Sequence, residues 1–277
     1  LNQINHTLSE AYSTIRHDLE SAANMQKALL PAPLRLPGVT VEWLFHPCSF
    51  VAGDIFDYFT LDRHRLSFYQ LDVVGHGVPA ALLSFTLNRL LSQGAEEKRL
   101  RRQEAIQDEE SVPQLLVSEL NRRFQSGIDP LQYFTMIYGT LDLDSGRVNL
   151  TQAGHPKPLV LRRAARRVDP VGGGGFPVGM FADVGYETIC FELAPGDRLV
   201  LYSDGISECV NAAGEQFSEA RLSALLEQTC DLPVAAVTGR VGQALLEWNG
   251  DDNLQDDITL LVLEREHGRD PDDQPGY

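Results

Sequence analysis

Four acidic stretches carry residues whose types and spacing could do chemistry. In Leu71-Asp72-Val73-Val74-Gly75-His76-Gly77-Val78-Pro79 a carboxylate stands where an apolar run ends, beside two glycines and a proline. Gly75 and Gly77 permit a tight turn that a Cβ would resist. Pro79 suits the first turn of a helix. Asp72 at such a junction is placed to hold a metal ion or an anion; it would equally serve as a cap for the turn. The other stretches are Val51-Ala52-Gly53-Asp54-Ile55-Phe56-Asp57, Tyr202-Ser203-Asp204-Gly205 and Asp256-Asp257-Ile258-Thr259. Carboxylates gathered from several strand ends repel one another unless a cation joins them. An oxygen-only donor set of this kind suits Mg²⁺ or Mn²⁺. No Ser-His-Asp or Cys-His arrangement supplies a nucleophilic side chain.

The surrounding pattern predicts the elements that must position these acids. Apolar or small residues at Leu1, Ile4, Leu8, Ala11, Ile15, Ala22, Met25 and Leu29 approximate a heptad seam, interrupted by Asp18, so residues 1–30 read as one helix and a coiled-coil dimer element. Pro31-Ala32-Pro33 and Pro37-Gly38 stop it. Strands are expected over 39–45, 50–60 and 65–73, followed by a helix from Ala80 to Leu91. Residues 93–110 alternate in charge sign and read as a solvated helix or loop. A helix over 113–124 precedes a hairpin, 133–141 with 147–152, and a strand over 158–161. The basic run Arg162 to Arg167 reads as a solvated turn. Further strands are expected over 187–193, 197–203 and 256–263, the last starting with its acid pair, with helices over 218–229 and 233–248. Gly172-Gly173-Gly174-Gly175 lacks the Lys-Ser/Thr of a phosphate loop and reads as a mobile loop near the site mouth. Residues 265–277 read as a disordered acidic tail. Strand-rich segments with grouped helices imply an α+β layered fold.

The composition narrows the function. A net charge of −16 disfavours nucleic acid as a partner. No apolar stretch is long enough to cross a membrane, and no signal-peptide pattern opens the chain. Leu rather than Met stands first, so a fragment or a processed form is expected. Cys48, Cys190, Cys209 and Cys230 are scattered without a C-x-x-C pair, which argues against a zinc site and for reduced thiols in the cytoplasm.

Taken together, VAGDIFD, DVVGHGVPAALLS, YFTMIYGTLD, QAGHPKPLVL, GFPVGM, LYSDGISECVNAAGEQF and DDITLLVLE resemble, in order and over roughly residues 25–264, the SpoIIE/RsbU-like branch of the metal-dependent protein serine/threonine phosphatases, the type 2C superfamily. Ala52 and Ile55-Phe56 stand where Gly and Phe-Tyr are usual, and Val74 where Ser is common. None of these departures removes a carboxylate. The resemblance implies a four-layer αββα sandwich, two antiparallel sheets flanked by helices, with the metal site at one end. It implies a helical linker over 1–30 and a phosphatase domain over 31–264.

For the site, the resemblance implies two ions, Mn²⁺ or Mg²⁺, with Asp54 and Asp72 as shared ligands, the Val73 carbonyl completing one shell, and Asp204 and Asp256 holding the other ion. Asp256, rather than Asp257, matches the family ligand. Two ions roughly 3.5–4 Å apart can activate a water and neutralise phosphoryl oxygens without any nucleophilic side chain. Asp57 would bind metal directly, support a ligand or simply face solvent. His76 and His155 read as structural, with proton donation by His76 as the alternative. No arginine equivalent to the superfamily's phosphate grip is evident. The implied substrate is a phosphorylated STAS-domain protein of the anti-sigma factor antagonist type, in a partner-switching pathway. An upstream sensor or receiver domain is expected, and a homodimer through the N-terminal helix. The competing readings are a non-catalytic partner-binding module that keeps the fold, a hydrolase of small phosphate esters, and a dimeric scaffold.

Overall fold

A computed structural model describes residues 2–75, 77–104, 108–125, 133–250 and 254–266. The chain opens with helix α1 (Asn2–Leu29), then strands β1 (Leu34–Leu36), β2 (Val39–His46), β3 (Ile55–Thr60) and β4 (Arg65–Val73). Helices α2 (Val78–Leu91), α3 (Ala95–Glu104) and α4 (Val112–Gln125) follow. Strands β5 (Phe134–Asp142), β6 (Arg147–Ala153), β7 (Leu159–Arg162), β8 (Arg167–Pro170), β9 (Ile189–Glu192) and β10 (Arg198–Tyr202) come next. Helices α5 (Asp204–Glu208), α6 (Ser218–Gln228) and α7 (Val234–Asn249) precede the last strand, β11 (Ile258–Arg265).

The strands form two antiparallel sheets, β1-β2-β11-β10-β7-β8 and β3-β4-β5-β6-β9. Alternation along each strand divides the apolar side chains into three cores. Phe56, Phe68, Ile137, Leu199, Leu201 and Leu261 pack between the sheets. Tyr69, Leu71 and Val73 face the other way, onto Leu83, Leu87 and Leu116 of the helices α2 and α4. Val200, Tyr202 and Leu260 pack under α6 and α7. The result is the expected four-layer sandwich.

Several local expectations need correction. The strand expected from Phe50 begins only at Ile55, because the backbone over 48–54 gives its N–H groups to a side chain rather than to a neighbouring strand. Asp204 does not end a strand but begins α5, and β11 starts at Ile258, after the acid pair. Arg265, expected in the tail, still belongs to β11; residues 267–277, where the rest of the tail was expected, lie outside the described residues, as does His76. Gly173, Gly174 and Gly175 of the four-glycine run line a separate cavity with Gln152, Tyr186 and Ile189, not the one that the acids line.

The charged segment after α2 is not solvated throughout. Glu96 and Glu97 are buried. Glu97 accepts hydrogen bonds from Tyr138 Oη at 2.6 Å, Ser67 Oγ at 3.1 Å and Arg101 Nη2 at 2.6 Å. Glu96 accepts from Arg99 and Arg123. This network ties α3 to the outer face of β4 and β5 and to α4. Removing one partner of a buried pair strands the other. Glu97→Ala is therefore expected to destabilise the fold by on the order of 3 kcal/mol, read as a lower urea midpoint at unchanged denaturant slope.

Candidate metal centre

Asp54 and Asp72 come from adjacent strands of one sheet. Ile55 pairs with Leu71, so the preceding Asp54 flanks Asp72 at the same end. Asp204 and Asp256 come from the other sheet, after β10 and before β11, which are hydrogen-bonded neighbours. A cavity of about 280 Å³ opens where these ends meet, lined by Asp72, Val73, Val74, Gly75, Tyr133, Thr135, Asp204, Gln255 and Asp256. Asp54 lies behind it, 1 % exposed. The fold thus gathers Asp54, Asp72, Val73, Asp204 and Asp256 from distant parts of the chain into one place. Among the described residues that line the cavity there is no arginine or lysine.

The electrostatics carry the mark of carboxylates held together without a counter-charge. Asp54 is raised well above the ordinary carboxylate range by burial, then by Asp72 and Asp257. Asp72 is raised to about 8 by burial, then by Asp204, Asp256 and Asp257. Asp204 is raised by burial, then by Asp256 and Glu208. Each shift favours the neutral acid, which is what neighbouring negative charge in a low-dielectric site does.

The backbone around the acids is held close. A Cβ added at Gly53 would stand 3.0 Å from the Val73 carbonyl oxygen and 3.4 Å from that of Gly75. One added at Gly205 would stand 2.1 Å from the Asp257 carbonyl oxygen. Both glycines therefore permit the close approach that brings the carbonyls and carboxylates together. The donor set, carboxylates plus the Val73 carbonyl, is all oxygen and fits a hard divalent cation.

Asp257 has a different task from Asp256. It is buried, and its carboxylate accepts from Cys48 N at 2.9 Å and Gly53 N at 2.8 Å, with Asp54 N at 3.5 Å. It straps down the loop that carries Asp54. Asp256 is exposed and lines the cavity. The Cys48 thiol is pushed up to about 12 by burial and by Asp257, so it stays neutral. Asp57 shares the outer face with Ile55 and Tyr69, its cross-strand partner, and accepts from Tyr58 N. His155 is buried and held neutral, lowered to about 3 by desolvation. Its Nδ1 lies 2.8 Å from Thr135 Oγ1, beside Asp72 across the ladder. Its Nε2 makes no well-formed hydrogen bond, although the Tyr202 carbonyl slightly favours the protonated ring.

Three supporting side chains were not legible in advance. Thr259 Oγ1 donates to Asp54 Oδ2 at 2.5 Å. Ser203 Oγ donates to the Asp257 carbonyl at 3.0 Å and accepts from Thr259 N at 2.9 Å. Gln26, on α1, is buried and pairs doubly with Ala52: its Nε2 donates to the carbonyl and its Oε1 accepts from the N–H, both at 2.9 Å. Thr259 and Ser203 sit inside acidic motifs, but the sequence does not show their partners. The only signal at Gln26 is a polar residue among alanines near the end of an otherwise amphipathic helix.

The family profile of stage II sporulation protein E (SpoIIE) matches residues 62–266. The phosphoserine phosphatase RsbU of Bacillus subtilis is 25% identical over 268 residues, which is 95% of this chain and 74% of RsbU. The phosphoserine phosphatase RsbP of the same organism is 24% identical over 253 residues, 90% of this chain but 58% of RsbP, so the chain spans little more than half the length of that relative. The solved SiaA-PP2C domain of Pseudomonas aeruginosa superposes with a TM-score of 0.77 at 22% identity, covering 92% of this chain and 99% of that one. The chain belongs to the SpoIIE family and has the PP2C fold.

The raised acids make a sharp expectation about pH. A carboxyl raised in the fold keeps its proton there after the unfolded chain has lost it, so its stabilising contribution is complete below the unfolded value and fades as pH rises through the folded one. In chelator, stability should fall from about pH 4 toward pH 8, the window set by Asp72. Saturating Mn²⁺ should flatten or reverse that slope and raise the melting temperature. Melts across this range with and without Mn²⁺ check it; a slope indifferent to the ion would contradict the site.

Proposed function

We propose that this member of the SpoIIE family is a metal-dependent phosphoserine/phosphothreonine protein phosphatase. The observation that carries the reading is the convergence of Asp72, Asp204 and Asp256 from both sheets on one cavity with Asp54 behind it, Asp54, Asp72 and Asp204 being raised by burial and then by neighbouring carboxylates. Asp54 and Asp72 would hold ions jointly, the Val73 carbonyl would complete one shell, and Asp204 and Asp256 would hold the second ion. Divalent ions there, Mn²⁺ or Mg²⁺, would supply a water nucleophile at neutral pH and neutralise phosphoryl charge. The chain's own part is to fix the carboxylates: Thr259 orients Asp54, Asp257 clamps its loop, and Gly53 and Gly205 let the backbone close in. A binding module that merely kept the fold would have no use for mutually repelling acids.

A protein substrate suits the surface better than a small ester. A second cavity, of about 270 Å³, shares Gln255 and Asp256 with the first and extends to Glu208, Gln216 and Asn249. A polypeptide flanking a phosphoserine could lie across both. The relatives RsbU and RsbP are phosphoserine phosphatases, and by resemblance the substrate is a phosphorylated STAS-domain protein in a partner-switching pathway. The direct test is phosphate release from such a protein with Mn²⁺, with Mg²⁺ and with chelator. Wild type is expected to turn over only with metal. Asp72→Asn should lose at least a hundredfold, on the order of 3 kcal/mol of barrier. Metal-independent release, or release undiminished in the variant, would overturn the reading.

We read 1–30 as a regulatory helix, 31–264 as the phosphatase domain, and the whole as a cytoplasmic homodimer that receives its signal from a further sensor or receiver domain. The four cysteines are free, which fits a reducing compartment. Among the described residues no helix is long and apolar enough to cross a membrane. Ile4, Leu8, Tyr12 and Ile15 are each more than half exposed on α1, and a second α1 would cover them as a coiled coil. The Gln26–Ala52 pair links that helix to the loop bearing Asp54, and Ser84 of α2 reaches the same carbonyl at 3.4 Å. The mass in solution by light scattering should be that of a dimer for wild type and a monomer for a Leu8→Glu/Ile15→Glu variant. A monomeric wild type would sink the dimer.

A further inference from the structure

Gln70 is fully buried, and neither its Oε1 nor its Nε2 has a hydrogen-bond partner among the described residues. The other buried glutamines are satisfied. Gln26 pairs with Ala52. Gln152 donates to the His155 carbonyl at 2.6 Å and accepts from Gly174 N at 2.8 Å. An unpartnered buried amide is unfavourable, because no hydrogen bond offsets the loss of its contacts with water. A leucine at this position would avoid that cost.

The register shows what Gln70 can reach. Along β4, Leu66 and Phe68 point between the sheets, whereas Tyr69, Leu71 and Val73 point toward α2. Gln70 and Asp72 therefore share the inter-sheet face, one pleat repeat apart, about 7 Å. In its own row Gln70 is flanked by Phe56 and Ile137, neither of which can hydrogen-bond through its side chain. On the other sheet Leu201 and Leu261, which pair with each other, belong to the same apolar core between the sheets. The next row toward the cavity is polar: Asp72 opposite Thr135, with Asp54 beside them and Thr259 on Asp54. Gln70 thus stands one pleat repeat from Asp72, and the row of Asp72, Thr135 and Asp54 is the polar row next to its own.

We propose that Gln70 is a positioning residue for Asp54 and Asp72. Its Nε2–H₂ donates to ordered waters that donate in turn to their carboxylates, and its Oε1 accepts from one of those waters, which thereby gain the several polar partners that buried waters require. Asp54 and Asp72 would then be oriented from the row of Gln70 while their outer oxygens face the cavity. This assignment rests on the metal-dependent reading above. Outer partners of metal-binding carboxylates contribute in this way, and losing one costs about 10- to 100-fold in metal affinity.

The test uses the full chain and Mn²⁺ itself. Gln70→Leu and wild type are compared by thermal melting in chelator and by calorimetric titration with Mn²⁺. The variant should melt at the same temperature or higher, because an orphaned amide has been removed, while its Mn²⁺ Kd rises at least tenfold. A purely structural residue would not separate these two readouts, and an unchanged Kd overturns the assignment. Gln70→Met, unbranched like glutamine, replaces the leucine variant if that one fails to fold, with the same two outcomes. In wild type, the side-chain amide resonances of Gln70 should move on addition of Mg²⁺; resonances that stay in place overturn the assignment without any variant. If wild type takes up neither ion, the metal-dependent reading fails and this one with it. If wild type binds and the variant binds equally well, only the role of Gln70 is lost.

Discussion

The structure depends on holding like charges together at the meeting point of two sheets. Asp54 and Asp72 end one sheet; Asp204 and Asp256 stand at the end of the other. Burial, and then their proximity, raises Asp54, Asp72 and Asp204 above the normal carboxylate range. Such an arrangement survives because the surrounding chain supplies donors wherever it can. Thr259 donates to Asp54, and backbone N–H groups of Cys48 and Gly53 saturate Asp257. What is left over faces the cavity, and a divalent cation is the natural complement to that surplus.

The same constraint explains the irregular backbone nearby. A regular strand over 50–54 would spend its N–H groups on a neighbouring strand. Here Ala52 N–H turns to the Gln26 amide and Gly53 N–H to the Asp257 carboxylate, so the strand starts late. The loop is also where α1, α2 and the segment leading into β11 converge, through Gln26, Ser84 and Asp257 on Ala52, Gly53 and their neighbours. A displacement of α1 would therefore reach Asp54 through one doubly hydrogen-bonded side chain rather than through a long chain of contacts.

At the other end of β4 the chain solves a related problem by different means. Glu96 and Glu97 are buried against arginines and hydroxyls, all within protein. Each carboxylate there has a cation of its own, so no external ion is called for. Two buried acidic groups on one sheet thus differ in whether protein cations answer them, and that difference separates a structural network from a site.

Sequence alone determined the layered α+β class, the placement of most strands and helices, and the acids Asp54, Asp72, Asp204 and Asp256 as a group. Alternation, glycine turns and strand-end carboxylates are local patterns, and local patterns survive in one dimension. Tertiary structure decided what depends on who faces whom. It gave Asp257, the neighbour of Asp256, its own task, accepting backbone N–H groups while Asp256 stays exposed at the cavity. It turned Asp57 to the outer face with Tyr69 and buried a charged helix that alternation of sign had marked as solvated. It also gave Gln26, Gln70 and Thr259 their neighbours. A hydrogen bond between residues more than 200 positions apart, such as Thr259 to Asp54, leaves no trace in the spacing of either residue. Only the packing of one sheet on the other brings the two together.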